Sequence, residues 1–204
     1  MTPRLRKLAL TVHVVASVGW FGAVAAFLGL AVAGLTSPDP EFVRAACLAM
    51  EAITWTVLVP LSLASLLTGL LSSLGTSWGL LRHYWVLVKL LLTCGATLLL
   101  LLHTQPIGLL ARMAVQSTQG PEFRGLQIQL VVDASLAMVV LLVTTVLGIF
   151  KPKGLTPYGR RKQGAADENT STDAPRWVRV FAILAIVIVV IVLHKLMGGM
   201  HRHS

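Results

Sequence analysis

Five long apolar segments with almost no internal charge constrain this chain more than any other feature of its sequence. They run from about Leu8 to Leu35, Phe42 to Leu74, Tyr84 to His103, Leu126 to Phe150 and Trp177 to Met197. About 20 mostly apolar residues cross roughly 30 Å of hydrocarbon, so each segment is long enough to span a bilayer. Only helices and closed barrels satisfy every backbone group in lipid, and barrel strands are only about ten residues long. The sequence therefore predicts an all-α, polytopic membrane helix bundle.

The composition excludes several other classes of protein. Of the 204 residues, 55% are hydrophobic and 12% are charged, whereas about a quarter of an ordinary soluble domain is charged. A chain of this length cannot hide so much apolar surface in one core. Disordered chains, disulfide scaffolds and soluble enzymes are excluded, and no soluble domain is large enough to carry a reaction.

The segments are expected to form a group of four followed by one. Residues 1–150 are predicted to be a four-helix transmembrane core, in which Pro60 kinks the long second segment. Residues 151–176 are polar and basic, with the composition of a flexible linker. Residues 177–204 are predicted to contain a fifth transmembrane helix and a tail that carries His and Met.

Lys and Arg are concentrated on one side of the predicted topology. They precede the first segment and follow the fourth, where seven lie between Lys151 and Arg179. Because cytoplasmic loops have an excess of basic residues, this distribution predicts that the N-terminus is cytoplasmic and the tail external. Because these residues are juxtamembrane, the net charge of +9 indicates anionic lipid as the partner rather than nucleic acid. A membrane-protein partner or a second copy of the chain stays open.

Four ionisable residues lie inside the first four segments, one in each: His13, Glu51, Lys89 and Asp133. Such a side chain costs several kcal/mol in a span, so each is a functional candidate. His13 and Lys89 are expected roughly 7 Å from the cytoplasmic edge, and the two carboxylates on the order of 10–14 Å below the external face. Close carboxylates share a proton or hold a cation. Alternatively, Lys89 snorkels to the interface, and His13 and Asp133 only bond neighbouring helices.

A second candidate cluster combines imidazole and thioether groups on the predicted external side. Its members are His103, at the end of the third segment, and His194, Met197, Met200 and His201, in and after the fifth. These ligand types suit copper, especially the reduced ion. With Glu51 and Asp133 as an intramembrane site, they support a copper-handling or cation-handling protein. The alternative is a basic tail that has no metal role.

Two sequence motifs resemble a known superfamily. The first segment reads His13-Val-Val-Ala-Ser-Val-Gly-Trp20-Phe-Gly22, and the third opens Arg82-His83-Tyr84-Trp85-Val-Leu-Val-Lys89-Leu. Together they resemble the superfamily of small bacterial membrane proteins that includes the copper-resistance protein D family and the HemJ-type protoporphyrinogen oxidases. The stretch from Pro60 to Lys89 resembles uncharacterised actinobacterial integral membrane proteins. The resemblance covers the first four segments.

The resemblance implies haem b as a cofactor. It assigns His13 as an axial ligand and Lys89 as the partner of a propionate or a substrate carboxylate. The small residues around Trp20 would let a flat cofactor approach closely. Three interpretations of function stay open: a haem-binding redox protein, a copper-handling or cation-handling protein, and a scaffold subunit whose polar residues only lock helix packing. The sequence does not decide whether the protein is an enzyme.

Overall fold

The fold is described by a computed structural model for residues 2–74, 83–117 and 120–150, together with Val180 and Ile183. These ranges form α1 (Pro3–Thr36), α2 (Pro40–Ile53), a π-helical turn (Thr54–Leu58), α3 (Val59–Leu74), α4 (Tyr84–Val115) and α5 (Pro121–Phe150). The predicted linker, and the predicted fifth helix and tail apart from two single positions, lie outside the described residues.

Four helices are long and apolar enough to cross a membrane. They are Arg4–Thr36, Pro40–Ser73, Tyr84–Val115 and Pro121–Phe150. The second of these contains α2, the π-helical turn and α3 as one continuous rod. The all-α prediction and the four membrane-length helices of the predicted core are thus confirmed for the part of the chain that the structure describes.

The helix starts follow from capping and proline. α1 and α2 both begin with a proline that directly follows a capping residue, and proline suits this position because its N–H would lack a partner there. The Thr2 hydroxyl accepts a hydrogen bond from the backbone N–H of Leu5 at 3.4 Å. The Asp39 carboxylate accepts one from the N–H of Glu41 at 3.0 Å. Each cap satisfies a backbone donor that the first helical turn leaves free.

The third predicted segment is longer in the structure than the sequence pattern indicated. α4 continues through Pro106 to Val115 instead of ending at His103. Pro106 removes one backbone hydrogen bond, but the apolar residues that follow it still gain by packing as a helix against their neighbours. His103 is therefore not a helix end. It lies about three turns before the end of α4 and is buried.

A π-helical turn precedes Pro60, the residue that was predicted to kink the second segment. The N–H of Val59 bonds the carbonyl of Thr54, five residues back, so the helix widens by one residue. Thr54 is fully buried, and its hydroxyl donates to the Met50 carbonyl at 2.7 Å. Such turns often occur at functional sites. This one places Leu58 in the wall of an internal cavity.

The helices pack as an antiparallel ring. α1 and α4 occupy opposite corners, and each contacts both the α2–α3 rod and α5. Gln127, near the start of α5, donates a hydrogen bond to the carbonyl of Gly34, near the end of α1, at 3.2 Å. This is the up-down-up-down arrangement of a four-helix bundle. We call its two ends the Pro3 end and the Thr36 end.

The outer surface of the bundle is apolar, and much of its polarity is inside. Val18, Leu67, Leu91 and Val132, one from each rod, are all more than half exposed. The buried polar side chains are Thr54, Ser62, Ser65, Thr93, Thr97, His103, Gln127 and Thr144. Water-soluble proteins rarely expose large contiguous apolar surfaces. The pattern is typical of a bundle surrounded by lipid.

Candidate functional site

Six of the predicted site residues lie in the described part of the chain, and they fall into separate places in the bundle. His103 and Asp133 meet between α4 and α5, whereas His13 and Lys89 lie nearer the Pro3 end. Trp20 is between these two groups, and Glu51 lies on α2. The other four predicted residues lie outside the described residues: His194, Met197, Met200 and His201.

His103 and Asp133 form a buried pair. Nε2 of His103 lies 2.5 Å from Oδ2 of Asp133, and both atoms are shielded from solvent. On the other side of the ring, Nδ1 lies 2.7 Å from the carbonyl oxygen of Leu99. A carbonyl oxygen only accepts hydrogen bonds, so Nδ1 carries a proton and donates it. The ring is therefore fixed in orientation, with Nε2 directed at the carboxyl group.

An electrically neutral pair has one further proton, either on Nε2 or on Oδ2. If Asp133 is ionised, Nε2 donates to it and the ring is a cation. If Asp133 is protonated, its O–H donates to the neutral ring. The pair is electrically neutral overall in both states, which differ only in the position of that proton. Neutrality lowers the cost of burying two ionisable groups, because no net charge is left in the apolar interior.

A cavity of about 60 Å³ adjoins the pair. Its other walls are almost entirely apolar and come from every rod of the bundle: Trp20, Val24, Phe27, Leu58, Ala96, Leu99, Leu100, Ile107, Leu130, Ala134 and Ala137. A water molecule needs about 10–15 Å³ of such space and two to four polar partners. The cavity thus has room for several waters, and the imidazole–carboxyl pair supplies polar partners for them.

A second cavity, of about 30 Å³, lies nearer the Pro3 end. Trp20 belongs to the walls of both cavities. The second cavity is more polar than the first, with walls formed by Ser17, Ser65, Lys89, Thr93, Leu141, Thr144 and Thr145. The bundle thus contains two small spaces of different chemistry that share one aromatic residue in their walls.

His13 is held against α3 near the same end. Its Nδ1 lies 3.0 Å from the carbonyl oxygen of Ser65 and 3.2 Å from the hydroxyl of Thr68. The Thr68 hydroxyl donates its own proton to the Ala64 carbonyl at 2.5 Å. Both partners of Nδ1 therefore accept, so Nδ1 is protonated and the lone pair of the neutral ring is on Nε2. That nitrogen is the one available to a ligand.

Three of the ionisable side chains are accommodated by a glycine on a neighbouring helix. A Cβ atom would lie 3.1 Å from Cε1 of His13 at Gly69, 3.1 Å from Nζ of Lys89 at Gly148, and 3.3 Å from Oε1 of Glu51 at Gly108. These distances are shorter than ordinary van der Waals contact. Helical spacing alone does not show which glycine faces which side chain, so these contacts could not be predicted from the sequence.

The neighbours recorded for the two carboxylates differ, and the predicted sharing of a proton or cation between them stays a prediction. Asp133 bonds the ring of His103, whereas Glu51 contacts α4 at Gly108. Among the described residues, no group of three or more His, Cys, Asp or Glu side chains is placed to hold a metal ion. The copper hypothesis consequently depends on the tail, which lies outside the described residues.

The residues predicted to bind haem offer suitable ligand chemistry. The cavities of the bundle, however, are too small to enclose the cofactor. His13 presents the lone pair on Nε2 that an axial ligand needs. The two cavities, at about 60 and 30 Å³, are far smaller than the roughly 300–1,000 Å³ of ordinary cofactor pockets. His13 is partly exposed on the bundle. Haem bound through His13 would therefore belong on the outer face and not between the helices.

The pairing of His103 with Asp133 was not predicted from the sequence, although a signal was present. The apolar run from Ile107 to Val115 continues beyond Pro106. As part of the third helix, this run places His103 well inside the bundle. With that helix ended at His103, the two residues appeared to lie at different depths.

Comparison with known proteins adds no relative from which a role could be transferred. No family model, no curated protein and no solved structure matches the chain. The function of the chain must consequently be inferred from the chemistry of these residues.

Proposed function

We propose that this chain is a multi-pass protein of the bacterial cell membrane that binds and transfers protons at the His103–Asp133 pair. The apolar exterior and the four membrane-length helices support the membrane location. The basic residues at the start of α1 and after α5 support a cytoplasmic N-terminus, so the Pro3 end would face the cytoplasm. The observation that carries the proposal is the 2.5 Å contact between Nε2 and Oδ2.

Proton transfer at this pair follows from its two neutral states. A proton delivered by cavity water to the Asp133 carboxylate leaves a protonated carboxyl group beside an imidazolium ring, and the pair then has a net positive charge. That charge is costly in an apolar cavity, so the pair must release a proton soon after it accepts one. Uptake from one water and release to another is thus favoured over storage of a second proton.

A purely structural role for the pair makes a different prediction. Buried ion pairs are weak contributors to stability, although the loss of one partner is costly. If the pair only joined α4 to α5, any substitution that kept the helices together would leave the protein's function intact. A side chain of the same size that does not ionise separates the two roles.

The test is proton flux in vesicles reconstituted with the full chain, measured with an internal pH-sensitive dye under an imposed potential. Asp133→Asn is expected to reduce the flux at least about a hundredfold, the lower end of what a positioned proton-transfer group contributes. The matched control is Ser135→Ala, because Ser135 is exposed on the same helix and bonds only its own backbone. Helicity and thermal unfolding check that each variant is folded. Equal flux in folded Asp133→Asn and in the unsubstituted protein would contradict the proposal.

Haem-dependent redox chemistry is a second candidate function. It is favoured by the hydrogen bonding of His13, whose Nδ1 donates a proton and whose Nε2 has the lone pair. Histidines that bind metals usually donate their other ring N–H to a carbonyl or carboxylate, as His13 does to Ser65. Lys89 is close enough for its charge to act on His13, and by the resemblance it would engage a propionate. Haem would supply one-electron redox chemistry when bound.

This candidate is tested by absorbance spectra of the purified protein, oxidised and then reduced with dithionite. A Soret band that shifts on reduction and disappears in His13→Ala is the expected result. Metal analysis of the same sample detects copper. A colourless protein from cells supplied with haem would contradict the haem assignment, and stoichiometric copper would favour copper handling in its place.

A further inference from the structure

Among the described residues, no carboxylate forms an ion pair with the ammonium group of Lys89. Lys89 forms part of the wall of the smaller cavity, and the buried acidic partner in this bundle, Asp133, is engaged with His103. The acidic residues of the described ranges all lie in the half of the bundle nearest the Thr36 end. They are Asp39, Glu41, Glu51, Glu122 and Asp133. Lys89 is at the opposite end, where an unpaired cation inside a helix bundle is costly.

One serine hydroxyl in the wall of this cavity has a proton that is not donated to another residue of the wall. The hydroxyls of Thr93, Thr144 and Thr145 donate to backbone carbonyls of their own helices. Ser17 and Ser65 instead bond each other, with their oxygens 2.8 Å apart. One serine donates in that bond, so the proton of the other is left to point into the cavity. The donors toward the space are thus an ammonium group and one serine hydroxyl.

The size of the space restricts what those donors can bind. About 30 Å³ is room for roughly two water molecules. A phosphate, a sulfate or the carboxylate of a larger molecule does not fit without moving the helices. A monoatomic anion fits, and it accepts hydrogen bonds from any direction that an ammonium group and a hydroxyl offer.

We propose that the cavity formed by Lys89, Ser17 and Ser65 beside Trp20 binds a halide-sized anion, such as chloride. The anion neutralises Lys89 and accepts the serine proton. This site is independent of the proton-transfer role proposed for His103 and Asp133.

Trp20 supplies the readout because it belongs to the cavity wall. Bromide quenches indole fluorescence on contact, so a titration of sodium bromide against sodium gluconate at constant ionic strength is expected to show a saturable component. That component should disappear in Trp20→Phe and in Lys89→Met. Lys7→Met is the matched control, since it removes the same charge from an exposed site at the same end of the bundle. It should leave the saturable quenching unchanged.

Two further measurements keep the proposal testable if Lys89→Met does not fold. The double variant Ser17→Ala with Ser65→Ala removes the hydroxyl donor but keeps the charge, so bromide affinity should fall about tenfold. Chloride should raise the thermal unfolding midpoint relative to gluconate, because a ligand of the folded state stabilises it.

Three results would overturn the proposal. Quenching that is linear in bromide and identical in Lys89→Met would mean that bromide only collides with exposed indoles. Equal stabilisation by chloride and phosphate would indicate a general salt effect. Unchanged bromide affinity in the double serine variant would show that neither serine hydroxyl binds the anion.

Discussion

At the scale of single residues, the interior chemistry depends on which ring nitrogens carry protons. In both His103 and His13, Nδ1 donates to a backbone carbonyl, so Nε2 is the nitrogen left for chemistry. Nε2 of His103 lies 2.5 Å from Oδ2 of Asp133, whereas the lone pair of the neutral His13 ring is on Nε2. Under the functions proposed above, the first histidine would exchange protons and the second would bind a metal.

The His103–Asp133 pair predicts a specific pattern of stabilities. Asp133→Leu leaves His103 buried beside an apolar group, so unfolding should become easier by about 3–5 kcal/mol. Adding His103→Leu removes the stranded ring, and the double variant should recover most of that loss. Thermal or denaturant unfolding of the purified variants measures both effects. A double variant less stable than either single variant would mean that the two residues act independently.

At the scale of helices, glycines determine how closely the rods approach. Gly69, Gly108 and Gly148 each face an ionisable side chain of the next rod, whereas a Cβ atom added at Gly22 would meet no neighbour within 4 Å. Small residues let helices and long side chains share one interface. The polar interior therefore depends on the glycines, which leave space between the helices, as well as on the charged side chains that occupy that space.

Alanine at two of these glycines should have opposite effects. Gly69→Ala forces the ring of His13 to move and is expected to weaken its bond to Ser65, which costs about 1 kcal/mol or more. Gly22→Ala meets open space and should be neutral or stabilising by up to about 1 kcal/mol through helix propensity. Unfolding measurements compare the two. Equal effects at the two positions would contradict the contact between Gly69 and His13.

More of the helical structure than of the candidate site could be predicted from the sequence. Apolar length predicted four membrane-length helices, and Pro60 marked the irregular turn. The third segment was predicted to end at His103, whereas α4 continues through Pro106 to Val115, and that early end hid the depth of His103. Which side chains touch depends on the rotation of each helix about its axis. The apolar pattern fixes that rotation poorly, because these helices are apolar on nearly every face.

At the scale of the whole molecule, polarity is distributed unevenly between the two ends. The described acidic residues lie toward the Thr36 end together with Arg44, Arg112 and Arg124, while Arg4, Arg6, Lys7 and Lys89 lie toward the Pro3 end. The Pro3 end of the described bundle therefore has basic residues without acidic ones. Trp20 lines both the cavity beside the His103–Asp133 pair and the cavity that Lys89 lines.

The proposed orientation can be tested by thiol labelling in intact cells. In a background in which Cys47 and Cys94, the free cysteines of the described chain, are replaced by Ala, Ser37→Cys should react with a membrane-impermeant reagent. Arg6→Cys should react only after the cells are opened. The basic residues at the Pro3 end predict this asymmetry. The reverse labelling pattern would place the N-terminus outside and invert the proposed topology.

Proton sharing between His103 and Asp133 can be observed directly by nitrogen-15 NMR of the His103 ring in the purified, labelled protein. We expect a protonated Nδ1 that is bonded to the Leu99 carbonyl, and an Nε2 whose resonance reports a proton shared with Asp133. In deuterated water that shared proton should exchange, and Asp133→Asn should shift Nε2 while leaving Nδ1 unchanged. A ring whose Nε2 is unaffected by Asp133→Asn, or whose proton does not exchange in the folded protein, would contradict proton transfer at this pair.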